Sequence, residues 1–104
     1  MLMLDHTRLD ALQQEALTHA LASIHAPIYL FGSRADLTRK GGDVDILILS
    51  DVLYPSGVEK SIKITMAYQS MCEEKIDVVI FPSNEKQSEV QKDFFEHITK
   101  IKIQ

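Results

Sequence analysis

At 104 residues the chain has room for one domain built on a single core, and not for two ordinary ones. Its 45% hydrophobic and 25% charged residues, with three prolines and four glycines, exclude a disordered or fibrous chain, and no apolar run nears the ~20 residues of a membrane span. A net charge of −4 leaves no surplus of Lys and Arg for nonspecific binding to nucleic acid, so no direct nucleic-acid contact is expected and a basic partner suits the chain better. Met1 to Asp5 show neither the basic nor the apolar region of a signal peptide. Cys72 is the only cysteine, which excludes an intrachain disulfide and a thiolate zinc cluster, and a cytoplasmic location is expected.

Leu9, Leu12, Ala16, Leu17, Ala20, Leu21 and Ile24 repeat at helical spacing, and Thr7 with Asp10 is a weak capping box. A first helix is predicted from about Arg8 to Ile24. Pro27 ends it, and Ile28 to Phe31 form a short strand closed by Gly32 and Ser33. A polar stretch ends in a Gly41-Gly42 turn before a second strand, Asp43 to Leu49. Ser56 with Glu59 is a capping box just after Pro55, and behind it Val58, Ile62, Met66, Ala67 and Met71 line the predicted core face of a second helix reaching about Cys72. Ile76 to Phe81 read as a third strand stopped by Pro82. Ser88 and Gln91 cap a last helix carrying Val90, Phe94 and Ile98. The order predicts one α/β domain over residues 1–104, α+β in strict usage, with a small mixed sheet of about three strands and helices packed on it. The tail Ile101 to Ile103 fits an edge strand, a core tail or a partner contact equally well.

Asp43 and Asp45 are two residues apart on one strand, so their side chains leave the same face roughly 7 Å apart. Hard divalent cations take oxygen ligands, and a pair of them ~3.5 to 4 Å apart is the usual clamp for nucleotidyl displacement. Asp77 on the third strand reaches the same place if the two strands are neighbours. Alternating aspartates also mark solvated strand ends, but Leu47 and Leu49 continue the same face as apolar residues; on spacing alone both readings stay open. Gly32 and Ser33 follow a strand directly, where glycine allows close backbone approach and a short helix can turn its N–H groups to an anion. Arg34, Arg39 and Lys40 add cationic side chains. A Gly-Ser pair alone is usually just a turn.

Taken together, Phe31-Gly32-Ser33-Arg34-Ala35 and Gly42-Asp43-Val44-Asp45-Ile46-Leu47-Ile48, with Asp77 in Lys75-Ile76-Asp77-Val78-Val79, resemble the Gly-Ser...Asp-x-Asp signature of the DNA polymerase β-like nucleotidyltransferase superfamily. The likeness runs from Ile28 to Phe81, and the length is similar to that of the stand-alone minimal nucleotidyltransferases (MNT proteins). The resemblance implies a nucleotidyltransferase fold and an antitoxin that uses ATP and two Mg²⁺ ions to adenylylate a tyrosine on a HEPN-domain RNase toxin, in a hetero-oligomer. By that resemblance Gly32 and Ser33 hold the triphosphate, Asp43 and Asp45 hold both metals, and Asp77 holds the metal nearest the acceptor hydroxyl; Arg34 is a further nucleotide-binding candidate from its charge beside the turn. Asp36, Leu37 and Gly42 depart from the residues many relatives carry there.

Two rival functions remain at this level: an antitoxin acting by binding alone, and a small-molecule nucleotidyltransferase, which usually needs a further domain for its acceptor. His6, His19, His25 and His97 show no ligand spacing. Met66 and Met71 are expected in the core, and Tyr29, Tyr54 and Tyr68 are expected to serve packing more than base stacking.

Overall fold

Caps and apolar spacing set the helix ends, and the strands follow the apolar runs between them. The computed structural model describes residues 2–5, 7–35, 43–54 and 57–104, with Ser33 described by its backbone alone. In chain order it holds α1 (Ala11–Ala20), β1 (Ile28–Phe31), a 3₁₀ turn (Gly32–Arg34), β2 (Val44–Leu49), α2 (Val58–Gln69), β3 (Ile76–Phe81), a second 3₁₀ turn (Asn84–Lys86), α3 (Glu89–His97) and β4 (Lys100–Lys102). His6, Asp36, Leu37, Arg39, Lys40, the Gly41-Gly42 turn, Pro55 and the Ser56 half of the predicted capping box lie outside the described residues.

α1 starts later than its apolar pattern suggests, because the cap is Asp10 and not Thr7. The Asp10 carboxylate accepts from the Gln13 N–H at 2.8 Å, and the Gln13 side-chain oxygen accepts from the Asp10 N–H at 2.9 Å. Thr7 instead donates its hydroxyl to the Leu4 carbonyl at 2.7 Å. The helix closes at Ala20, and Ile24 is buried from the turn that follows. The Ser88–Gln91 box at the head of α3 forms as predicted.

The four strands lie in the order β3-β2-β1-β4, with β1 antiparallel to both β2 and β4, and β2 parallel to β3. The expected three strands become four because Lys100–Lys102 pairs with the free edge of β1. The tail is thus both edge strand and core: Ile103, just beyond it, is fully buried. One sheet face carries Ile28, Leu30, Val44, Ile46 and Ile48, and packs on the buried sides of α1 and α2. The other carries Tyr29, Phe31, Leu47, Leu49, Val79 and Phe81, and meets α3 through rings. Phe94 stands edge-on to Phe31 and Phe81, each 5.7 Å between centroids, and Phe95 to Tyr29 at 5.1 Å.

α2 corrects the sequence reading. Its buried residues are Ile64 and Tyr68, with Ala67 and Met71 half-buried, whereas Val58, Ile62 and Met66 are 69%, 53% and 66% exposed. At ~100° per residue, Ile62 and Met66 stand on the opposite side of the helix from Ile64 and Tyr68, two positions on. Both stripes have helical spacing, and the docking of α2 on β3 chooses between them. Gly57 permits that docking, since a Cβ there would sit 2.7 Å from both the Leu53 carbonyl oxygen and Cδ1 of Ile80. Tyr68 is fully buried and its hydroxyl meets no nitrogen or oxygen partner among the described residues, only the Cys72 thiol; burial first, and then that thiol, push its ionisation upward. No helix among the described residues is long and apolar enough to cross a membrane.

Candidate active site

The site is assembled where β1 ends and β2 and β3 begin. In the β1–β2 ladder Phe31 lies opposite Asp45, so the chain turns at Gly32 directly beside that carboxylate. Gly32 has φ +74°, and a Cβ built on it would stand 2.6 Å from Oδ2 of Asp45. Glycine is required here twice, by the left-handed backbone and by the approach of the acid. The Gly-Ser turn and the Asp-x-Asp strand are therefore in contact.

In the parallel β2–β3 ladder Asp45 is the register partner of Asp77, which puts both carboxyls on one face at the same level. They share a hydrogen bond. Burial, then the charge of Asp77, that shared hydrogen bond and the charge of Asp43 raise the Asp45 pKa to about 6, with Lys75 pulling the other way. The carboxylate of Asp43 lies 3.6 Å from the ammonium of Lys75. Of the three predicted acids the structure thus brings Asp45 and Asp77 into direct contact and sets Asp43 alongside, turned to Lys75. Among the described residues no three His, Cys, Asp or Glu side chains converge tightly enough to enclose a metal ion as they stand. The donor set nevertheless fits a hard divalent cation, because two carboxyls stand in register with a third beside them, and their mutual charge adds to burial in raising the Asp45 pKa.

Arg34 points elsewhere than sequence alone suggests. Its side chain is 15% exposed; one guanidinium nitrogen donates to the Arg8 carbonyl at 3.1 Å and the other lies 3.8 Å from Glu74. Glu74 in turn accepts from the amide of Gln13, a residue only 1% exposed. The chain Gln13–Glu74–Arg34 ties the start of α1 and the approach to β3 to the turn after β1. Sequence reading missed Gln13, Glu74 and Lys75. Lys75, two residues before Asp77, carried a signal in its spacing, while Glu74 and Gln13 carried none. Ser33 has its backbone in the 3₁₀ turn, and its side chain lies outside the description.

On the same sheet face, past the acids, Phe94 rests on Phe31 and Phe81 and is itself 38% exposed. It forms an apolar wall past the carboxylate cluster that partly covers Phe31 and Phe81, while at the acid end Asp43 and Asp77 are exposed.

A search of curated proteins returns no match to the chain. The family model described as Polymerase beta, Nucleotidyltransferase matches residues 15–102, from within α1 to the last residue of β4. That span takes in the turn, the acid pair and the whole sheet, and the chain belongs to the polymerase β-type nucleotidyltransferase family.

Proposed function

We propose that this nucleotidyltransferase domain transfers AMP from ATP to a tyrosine hydroxyl on a HEPN-domain RNase toxin and so acts as its antitoxin. The observation that carries the nucleotide site is the contact of Gly32 with Asp45, which sets the Gly-Ser turn against a carboxylate cluster. Asp43, Asp45 and Asp77 would hold two Mg²⁺ ions, Asp77 on the side of the acceptor. When bound, Mg²⁺ supplies charge neutralisation on the triphosphate and makes the acceptor oxygen a better nucleophile. Gly32 and Ser33 would hold the triphosphate, Ser33 through its N–H, because the Gly32 N–H is given to the Thr99 carbonyl at 3.1 Å and Gly32 serves by letting the turn lie against Asp45. In the reaction the hydroxyl oxygen forms a bond to the α-phosphorus, the bond from that phosphorus to the bridging oxygen breaks, and diphosphate leaves; the hydroxyl proton passes to a carboxylate of the cluster or to water.

A protein acceptor is favoured by the shape of the site. Among the described residues Asp43 and Asp77 are exposed at the acid end of the sheet, where an acceptor carrying its own positioning surface could approach. A net charge of −4 steers a basic RNA-cutting partner toward the chain. The added nucleotide places roughly one to two negative charges where RNA phosphates would bind, which explains inhibition. The test is to mix the protein, ATP, Mg²⁺ and a HEPN protein encoded beside it and to weigh the HEPN protein. Its mass should rise by whole AMP units at a tyrosine, and Asp43→Asn should stop this. If Asp43→Asn silenced an unmodified HEPN protein at equimolar dose, inhibition would be by binding alone.

A further inference from the structure

α2 has two apolar stripes, and the fold uses one. Val58, Ile62 and Met66, spaced by four residues, stay 69%, 53% and 66% exposed. At 1.5 Å per residue this stripe runs about 12 Å along the helix. Beside it lies β3, the outermost strand, whose Val78 and Ile80 are only half-buried and border one hollow together with Tyr54 and Val58. Among the described residues no strand pairs with the far edge of β3. Single exposed apolar residues need no explanation, but three in line beside an open strand edge form a continuous face.

The charges on the rim decide what fits that face. Glu59 and Lys63 run along one flank of the stripe, 3.6 Å apart and mostly exposed. This flank is neutral, so it does not select a strongly basic or acidic partner. It is complementary to itself. When two antiparallel helices are related by a two-fold axis, like flanks face each other and each contact occurs twice. An axis at Ile62 sets Val58 against the second copy's Met66, Ile62 against Ile62, and Glu59 within a helical turn of the second copy's Lys63. The same axis brings the two open β3 edges to the same side. We propose that the chain forms a two-fold dimer through the exposed stripe of α2, with Ile62 at the axis and the Glu59–Lys63 pairs exchanged between copies. α2 packs on the sheet face opposite Asp45 and Asp77, so this dimer leaves the active site open.

The full chain should be run in sedimentation velocity over a concentration series, with circular dichroism confirming the fold of each variant. The wild type should approach twice its 11.8 kDa mass as concentration rises. Ile62→Glu sets two unpaired carboxylates against each other at the axis and should weaken the dimer by about 100-fold or more. The position is solvent-facing in the single chain, so folding should survive. Glu59→Lys should weaken dimerisation about 5- to 10-fold, and Glu59→Lys combined with Lys63→Glu should restore it, because pairs exchanged between copies depend on the product of the two signs. A wild type that stays at 11.8 kDa throughout would overturn the proposal and leave the face to a different protein. So would an Ile62→Glu variant that dimerises like the wild type, or a double swap as weak as the single one.

Discussion

Replacing Asp45 by Asn should make the isolated protein more stable and deaf to Mg²⁺. In the native chain the Asp45 carboxyl titrates at about 6 instead of the ordinary 3.8, because it is partly buried and faces Asp77 and Asp43. Between those two values the folded state holds a proton that the unfolded state has released, so stability falls as pH rises from about 4 to about 6 and stays reduced above that. A carboxyl sealed from water and shifted this far would carry roughly 3 kcal/mol; Asp45 is only half-buried, and screening brings the penalty to about 1 kcal/mol. Asn removes the charge and still offers a donor to Asp77. For a domain of this size, about 1 kcal/mol is about 5 °C in melting temperature. Thermal melts at pH 7.5 without divalent ions should therefore place Asp45→Asn above the wild type by about 5 °C, and the gap should close as the pH is lowered to about 4. Adding millimolar Mg²⁺ should raise the wild type and not the variant. A gap that is constant with pH, or an equal response to Mg²⁺, would refute the argument that this carboxylate is strained by its neighbours and awaits a cation.

Gly32→Ala should cost about 1–2 kcal/mol in urea unfolding from its left-handed backbone alone, and should abolish nucleotide transfer by forcing the Asp45 carboxylate aside, a readout obtained from labelled ATP. Glu74→Gln should leave the melting temperature within a few degrees but weaken ATP binding in a calorimetric titration about 3- to 10-fold, since Arg34 loses the anion that fixes the turn; unchanged affinity would mean the turn is held without it. Tyr68→Phe should stabilise the protein by about 1 kcal/mol at unchanged activity, because it removes a buried hydroxyl that meets no nitrogen or oxygen partner among the described residues, and a lower urea midpoint would show that the hydroxyl is well bonded after all.

The parts of this fold that a sequence shows are those set by neighbours along the chain. Ile28 to Phe31 and Ile76 to Phe81 are apolar runs ended by glycine or proline, and they are strands within those bounds. Ser88 and Gln91 cap α3 because a capping box needs only three residues' separation. What the sequence leaves open is decided across the fold. α2 offers Val58, Ile62 and Met66 as readily as Ile64 and Tyr68 for its inner face, and the winner depends on how closely Gly57 lets the helix approach β3. β4 is three residues long with lysine at both ends, and it becomes a strand because β1 has a free edge for it. At the site, the Asp-x-Asp strand and the Gly-Ser turn meet in one corner, with Gly32 against Asp45 and Asp45 in register with Asp77. The rotamers were not legible: Arg34 is drawn to Glu74, a residue far along the chain whose own anchor, Gln13, belongs to a helix cap.

The cost of the site and the means of bearing it lie in different residues. Asp45 and Asp77 are forced together by register in a parallel ladder, and the sheet holds that register because Ile46, Leu47 and Ile48, just beyond, are fully buried. A slip of one residue would relieve the carboxylates and expose the core, a loss of several kcal/mol against about 1. The apolar end of β2 thus fixes the acid end in an arrangement it would not adopt alone. The same holds for Gly32, whose unfavourable freedom in the unfolded chain is offset by β1 pairing on both edges rather than by any contact of its own. Stabilising substitutions at Asp45 would accordingly be selected against only through activity, whereas substitutions at Ile46 or Ile48 would remove both the fold and the site.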